Sequence, residues 1–134
     1  MYMKFSTDVQ DKYIVLALAE VNLNSIVAPA LKSEFVRLAT AEGAKKSLIL
    51  DLSPVQFVDS SGLSAILTAE RLWKNAGFSF ILTGVNSGSV RKLIEISRLD
   101  NILTIVPTIE ESVDLVFMEQ LERELEADGS TDEL

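Results

Sequence analysis

Apolar and polar residues alternate over residues 3–9, with Met3, Phe5, Thr7 and Val9 on one face and Lys4, Ser6 and Asp8 on the other. This predicts an edge strand with one solvated side. Asp11 and Lys12 make a turn, and Tyr13 to Ala19 (YIVLALA), apolar on both faces, predicts a strand inside a sheet. Leu31, Phe35 and Leu38, spaced by four and three, mark a buried helix face that ends near Gly43. Asn22, Asn24 and Ser25 supply loop and capping side chains before it, and Pro29 sits in or near its first turn. Ser47 to Leu52 (SLILDL) is the next strand. Beyond the stretch FVDSSGL, Leu63, Ile66, Ala69, Trp73 and Ala76 recur at steps of three and four, a helical stripe closed by Asn75 and Gly77. Phe78 to Thr83 reads as a strand, a helix from about Ser89 turns Val90, Leu93 and Ile94 inward, and Ile102 to Val106 is the last strand. Thr108 and Glu111 form a capping-box pattern before a final helix whose apolar face is Ile109, Val113, Val116, Phe117 and Leu121.

The predicted order is ββαβαβαβα. Strands joined through single helices pair mostly in parallel, so the fold class is a small α/β layered domain with a mixed, mostly parallel sheet and about four helices. At 134 residues the chain suits one domain with a real core. Residues 1–120 are expected to form it, and residues 121–134 to be the acidic end of the last helix and a disordered tail.

The chain contains no cysteine and no histidine, which removes thiol nucleophiles, disulfides, imidazole or thiolate metal sites and any Ser-His-Asp relay. Net charge is −8, of which residues 119–134, with seven acids and one base, hold −6. A nearly neutral body with an acidic end lacks the clustered Lys and Arg that phosphate binding requires, so protein is the expected partner, with no direct nucleic acid. No apolar run approaches the roughly 18 to 20 residues that span a bilayer, and no hydrophobic signal core opens the chain. No membrane insertion and a cytoplasmic location are the expectations.

Asp51, at the end of LILDL, sits where a response-regulator receiver carries its phosphate-accepting aspartate. That chemistry needs Mg²⁺ with further oxygen ligands. Glu20 is the only acid at the end of the neighbouring strand, and ILTIVPT carries no lysine to meet a phosphoryl group. Asp51 is expected instead to cap backbone N–H groups in the loop Ser53 to Gln56. Asp59-Ser60-Ser61-Gly62 places short oxygen-bearing side chains at a helix start. One cap would suffice, so two serines and a helix-weakening glycine exceed that need. The glycine is expected to clear space beside a serine hydroxyl for a partner's active site. A G-x-S-x-G hydrolase elbow is excluded, because Val58 occupies its first glycine position and no histidine can activate the hydroxyl.

The stretch LILDLSPVQFVDSSGLSAIL resembles the signature of the STAS domain, specifically the anti-sigma factor antagonists (anti-anti-sigma factors) of bacterial transcription regulation. The later segment SVRKLIEISRLDNILTIVPTIEESV is also similar to that family. The resemblance implies a non-enzymatic phosphoprotein without cofactor or metal that acts by partner switching. Ser61, before the motif glycine, would be phosphorylated by an anti-sigma factor that is itself an ATP-dependent serine kinase. The unmodified form would bind that kinase and release a sigma factor, and a phosphoprotein phosphatase would reset the cycle. Asp59 takes the motif's acidic position, with Ser60, Gly62 and Leu63 beside it on the partner-binding surface. The loops Val21 to Ser25 and Gly84 to Ser89 are expected to leave the same sheet edge, which adds Asn22, Asn24 and Ser87 to that surface. The chain departs from the antagonists at AEVNLNS, where they commonly carry a glycine followed by leucine-aspartate. Other STAS proteins define the alternatives: a small subunit of a phospholipid-transport ABC complex, or a stressosome-type scaffold.

Overall fold

The computed structural model describes residues 2–41 and 45–128; the predicted helix end at Gly43 and the tail residues 129–134 lie outside them. Five strands form one sheet in the order β1 (Phe5–Val9), β2 (Tyr13–Leu18), β4 (Ser47–Asp51), β6 (Phe80–Thr83), β7 (Thr104–Val106). β1 pairs antiparallel with β2, and every other neighbour is parallel. Two short strands absent from the sequence reading, β3 (Asn22–Leu23) and β5 (Phe57–Val58), pair in parallel as a separate ribbon. The helices are α1 (Ala28–Thr40), α2 (Ser60–Ala76), α3 (Gly88–Ile96) and α4 (Ile109–Ala127), and a 3₁₀ turn spans Leu99–Asn101.

Strand side chains alternate between faces, and both faces of the central strands are buried, as a parallel sheet requires. Leu16, Leu48, Leu50, Phe80 and Leu82 join α1, α2 and α3 in the main core, while Val15, Ile49 and Ile81 meet Val116 of α4 on the other face. α1 and α2 pack against each other through Leu31, Phe35, Ile66, Ala69 and Trp73. Phe35 stands edge-on to both Trp73 and Phe80, with centroids 6.1 and 6.3 Å away. The Trp73 indole N–H donates to Lys46 O at 3.0 Å, so the largest core side chain also satisfies its polar atom.

Several expectations change. The edge strand starts at Phe5, and its supposedly inward Phe5 and Val9 are exposed, because no helix reaches over β1; Met3 alone of that set is buried. β6 and β7 begin later than expected, after Phe78–Ser79 and after the 3₁₀ turn with Leu103. In α2, Leu63 is half-buried and Ala76 exposed, and Gly62 and Ala65 take their places in the core. Within α4 only Ser112 and Val116 are buried; Phe117 and Leu121, expected inward, are 49% and 56% exposed. Thr108 Oγ1 does cap that helix, accepting from Glu111 N at 3.1 Å.

Phe35→Ala removes the ring on which Trp73 and Phe80 both rest, and unfolding by urea is expected to show a loss of about 3–5 kcal/mol.

Candidate functional site

The carboxyl ends of the parallel strands release the loops that build the candidate surface. Asp51, at the end of β4, accepts from Ser53 N at 3.0 Å and from the Ser53 hydroxyl, so it caps the loop as the sequence predicts. The chain then turns through Val55, which is buried, into Gln56 and β5. Val21 O accepts from Gln56 N (2.8 Å) and Phe57 N (3.2 Å), and Leu23 O accepts from Asp59 N (3.2 Å). The β3–β5 ribbon therefore ties the loop after β2 directly to the DSSG segment. Ser87 and Ser89 hydroxyls both donate to Gln56 O at 2.7 Å, which ties in the loop after β6. The three loops that the sequence reading placed on one edge are joined there by hydrogen bonds.

Asp59 is the N-cap of α2, with an extended backbone and a carboxylate that accepts from Gly62 N at 3.0 Å. Ser60 and Ser61 are then the first two helical residues, and neither is needed as a cap. Ser60 is exposed and Ser61 half-buried. Both line a groove of about 290 Å³ with Ser25, Pro29, Lys32 and Ser64. Lys32 Nζ donates to Ser64 Oγ at 3.1 Å across that groove and places a cation beside the helix start.

Gly62 faces inward, which corrects its expected role of clearing room for a visitor. A Cβ at this position would meet Leu23 O, and would lie 2.8 Å from Val58 Cγ1 and 2.9 Å from Leu23 Cγ. The glycine is required because the first turn of α2 presses directly on the backbone of β3. Asn22 belongs to β3, paired with Phe57, and is not a loop residue; its side chain is exposed. Asn24 accepts through Oδ1 from Ile26 N (3.0 Å) and Val27 N (3.2 Å) and so shapes the turn into α1. Ser87 is buried, its hydroxyl engaged with Gln56 O and capping Val90 N, so it positions the loops from within. Leu63 is half-buried. Val21, which opens the loop expected on this surface, is 54% exposed; sequence reading missed Ile26 and Phe57, which are 62% and 60% exposed near the ribbon. The ribbon pairing sets the facing of Phe57, and Ile26 lies in the turn that Asn24 shapes.

Among the described residues no group of three or more His, Cys, Asp or Glu side chains is placed to hold a metal ion, and no helix is long and apolar enough to cross a membrane.

A family model described as the STAS domain matches residues 4–112. The chain belongs to the STAS domain family. Solved structures agree with that fold. A candidate anti-sigma factor antagonist from Thermotoga maritima is 28% identical, with a TM-score of 0.70 over 85% of this chain and 93% of that one. The Bacillus cell fate determinant SpoIIAA in its phosphorylated form is 24% identical, with a TM-score of 0.64 over 84% of this chain and 99% of that one. The STAS fold is also shared with the murine anion transporter Slc26a9, 16% identical, with a TM-score of 0.68 over 87% of this chain but 22% of the transporter.

Helix propensity alone makes Gly62→Ala stabilising by about 1 kcal/mol. The contact with β3 reverses that sign, and urea unfolding is expected to show a loss of about 1–3 kcal/mol from overpacking. Asp59→Ala should cost about 0.5–2 kcal/mol as a lost cap, whereas Ser60→Ala and Ser61→Ala should stay within about 0.5 kcal/mol.

Proposed function

We propose that this protein is an anti-sigma factor antagonist that works by partner switching, without catalytic activity of its own, and that Ser61 is its phosphorylation site. The observation that carries this reading is the division of labour at the start of α2: Asp59 does the capping, which leaves a partly exposed Ser61 hydroxyl free at an open groove. A structural neighbour being known in a phosphorylated form supports it.

The unmodified surface carries exposed Phe57, Ile26 and Val21 around the serines, apolar anchors of the kind that protein interfaces bury. The occupant is an anti-sigma factor with serine kinase activity, which brings its own ATP and Mg²⁺. Phosphorylation adds about −1.5 to −2 charges at the second helical residue, where free N–H groups and the helix dipole favour an anion by ~0.3–1 kcal/mol. Lys32 lies in the same groove. The domain therefore keeps its fold. A doubly charged group pressed unpaired into an interface costs several kcal/mol, and Asp59 next to it adds a like charge. The complex is lost while the antagonist stays intact, and a phosphatase restores it.

Incubation with the cognate anti-sigma factor and ATP should place one phosphate on Ser61 by mass spectrometric mapping, and Ser60→Ala should leave it there. Calorimetry should show Ser61→Ala binding the kinase like the parent chain and Ser61→Asp binding at least about tenfold more weakly. Equal affinity for Ser61→Asp overturns the switch, and co-purification with a transporter ATPase in place of a kinase assigns the chain to lipid transport. Asn22→Ala with Asn24→Ala tests the ribbon loop: unchanged affinity reduces these asparagines to turn formers.

A further inference from the structure

α4 continues well past the last residue that the family model matches, Ser112. From Phe117 to Ala127 it buries no residue fully, yet it exposes Phe117, Met118, Leu121 and Leu125. Met118, Leu121 and Leu125 follow the three-and-four spacing of a helix-packing seam. Phe117 stands beside them, edge-on to Tyr13 of β2 at 6.3 Å. α4 packs on β4, β6 and β7, so the same face of the sheet over β1 and the edge of β2 is left without a helix. Met118, Leu121 and Leu125 project from the side of α4 opposite Ser112 and Val116, which face the sheet, so the seam is open to solvent.

Charge selects the occupant. α4 holds seven acids and one base, and that base, Arg123, is turned inward: Nη1 donates to Ser79 Oγ at 3.0 Å and the guanidinium sits over the Phe78 ring. Glu122, Glu124 and Glu126 flank the seam; Lys74 shares a groove with Glu122 and Glu126, and Lys12 and Lys45 one with Glu124, but among the described residues none of these lysines forms an ion pair with them, and α4 itself keeps an excess of six negative charges. A second copy would bring acid against acid, and a phosphate-rich surface would be repelled. We infer that the exposed face of α4 docks an amphipathic helix of a partner protein whose apolar stripe is bordered by Lys or Arg. This surface is distinct from the start of α2, so a partner held here leaves Ser61 accessible.

The test titrates the ¹⁵N-labelled full chain with a synthetic peptide of about five helical turns, carrying leucines at heptad spacing between lysines. The same peptide with glutamates for lysines is the control. The lysine peptide should shift the amides of residues 113–127 and Tyr13, and added salt should weaken it. The double variant Met118→Ala, Leu121→Ala, made at two exposed positions, should bind at least about tenfold more weakly with unchanged circular dichroism. Equal binding by the glutamate peptide or by the double variant overturns the inference, as do shifts confined to other elements. Self-association of the free chain that the double variant abolishes assigns the face to a second copy and also overturns it.

Discussion

The carbonyl oxygen of Leu23 receives the amide of Asp59 and lies where a side chain at position 62 would begin. One backbone atom of a two-residue strand thus sets both the entry of the chain into α2 and the identity of the residue one turn along. Because Gly62 lets the helix start lie flat on β3, the Gly62 amide points back to the Asp59 carboxylate, and the cap closes at 3.0 Å. The serines between them are left over from this arrangement, ordered by it and yet not used by it. A modifiable hydroxyl needs that combination: a fixed address, with no structural bond that modification would break.

Rigidity decides how a phosphate there would be read. The segment is bound to the loop after β2 through Val21 O and Leu23 O, and to the loop after β6 through Ser87 and Ser89. Moving it would break several hydrogen bonds at about 0.5–1.5 kcal/mol each, more than the ~0.3–1 kcal/mol by which a helix end attracts an added anion. An added charge would therefore stay at the proposed docking surface and act on a complex there directly. The proposed switch would then need no conformational change in this chain, because the free energy difference would arise when a partner's surface closes over the charge.

Much of this was legible in the chain, and what escaped is instructive. The alternation of strand and helix periods reveals the sheet, because both faces of β2, β4 and β6 are buried and each strand reads as a continuous apolar run. DSSG announces a helix start by its residue types. The ribbon of β3 and β5 is invisible, since two-residue strands carry no period and their pairing partners lie 35 residues apart in sequence. With the ribbon unseen, Gly62 could be assigned an outward task and Ser87 an exposed one, while Phe57 drew no assignment. Each of those errors is a question of which way a residue faces, and facing is set by long-range pairing. The inward face of α4 held at Val113 and Val116 but not at Phe117 and Leu121, for a related reason: apolar residues recur at helical spacing whether a helix lies on its own sheet or awaits another surface.

α4 has to be explained by something other than its own stability. A helical stretch of about 11 residues is marginal in water, and this one adds like charges at three- and four-residue spacing, Glu119 with Glu122 and Glu122 with Glu126, each pair unfavourable by about 0.2–0.5 kcal/mol. The first half is anchored through Val116 against Val15, Ile49 and Ile81, and the Thr108 cap fixes its start. Beyond Val116 the anchoring thins to Phe117 against Tyr13 and Arg123 on Ser79 and Phe78. Apolar exposure and acid repulsion both press on this segment, and a single kind of contact relieves both: burial of the seam beneath a helix edged with positive charge. The same acids that weaken the segment alone would then orient and hold that neighbour, so the cost carried by the free chain becomes selectivity in the complex.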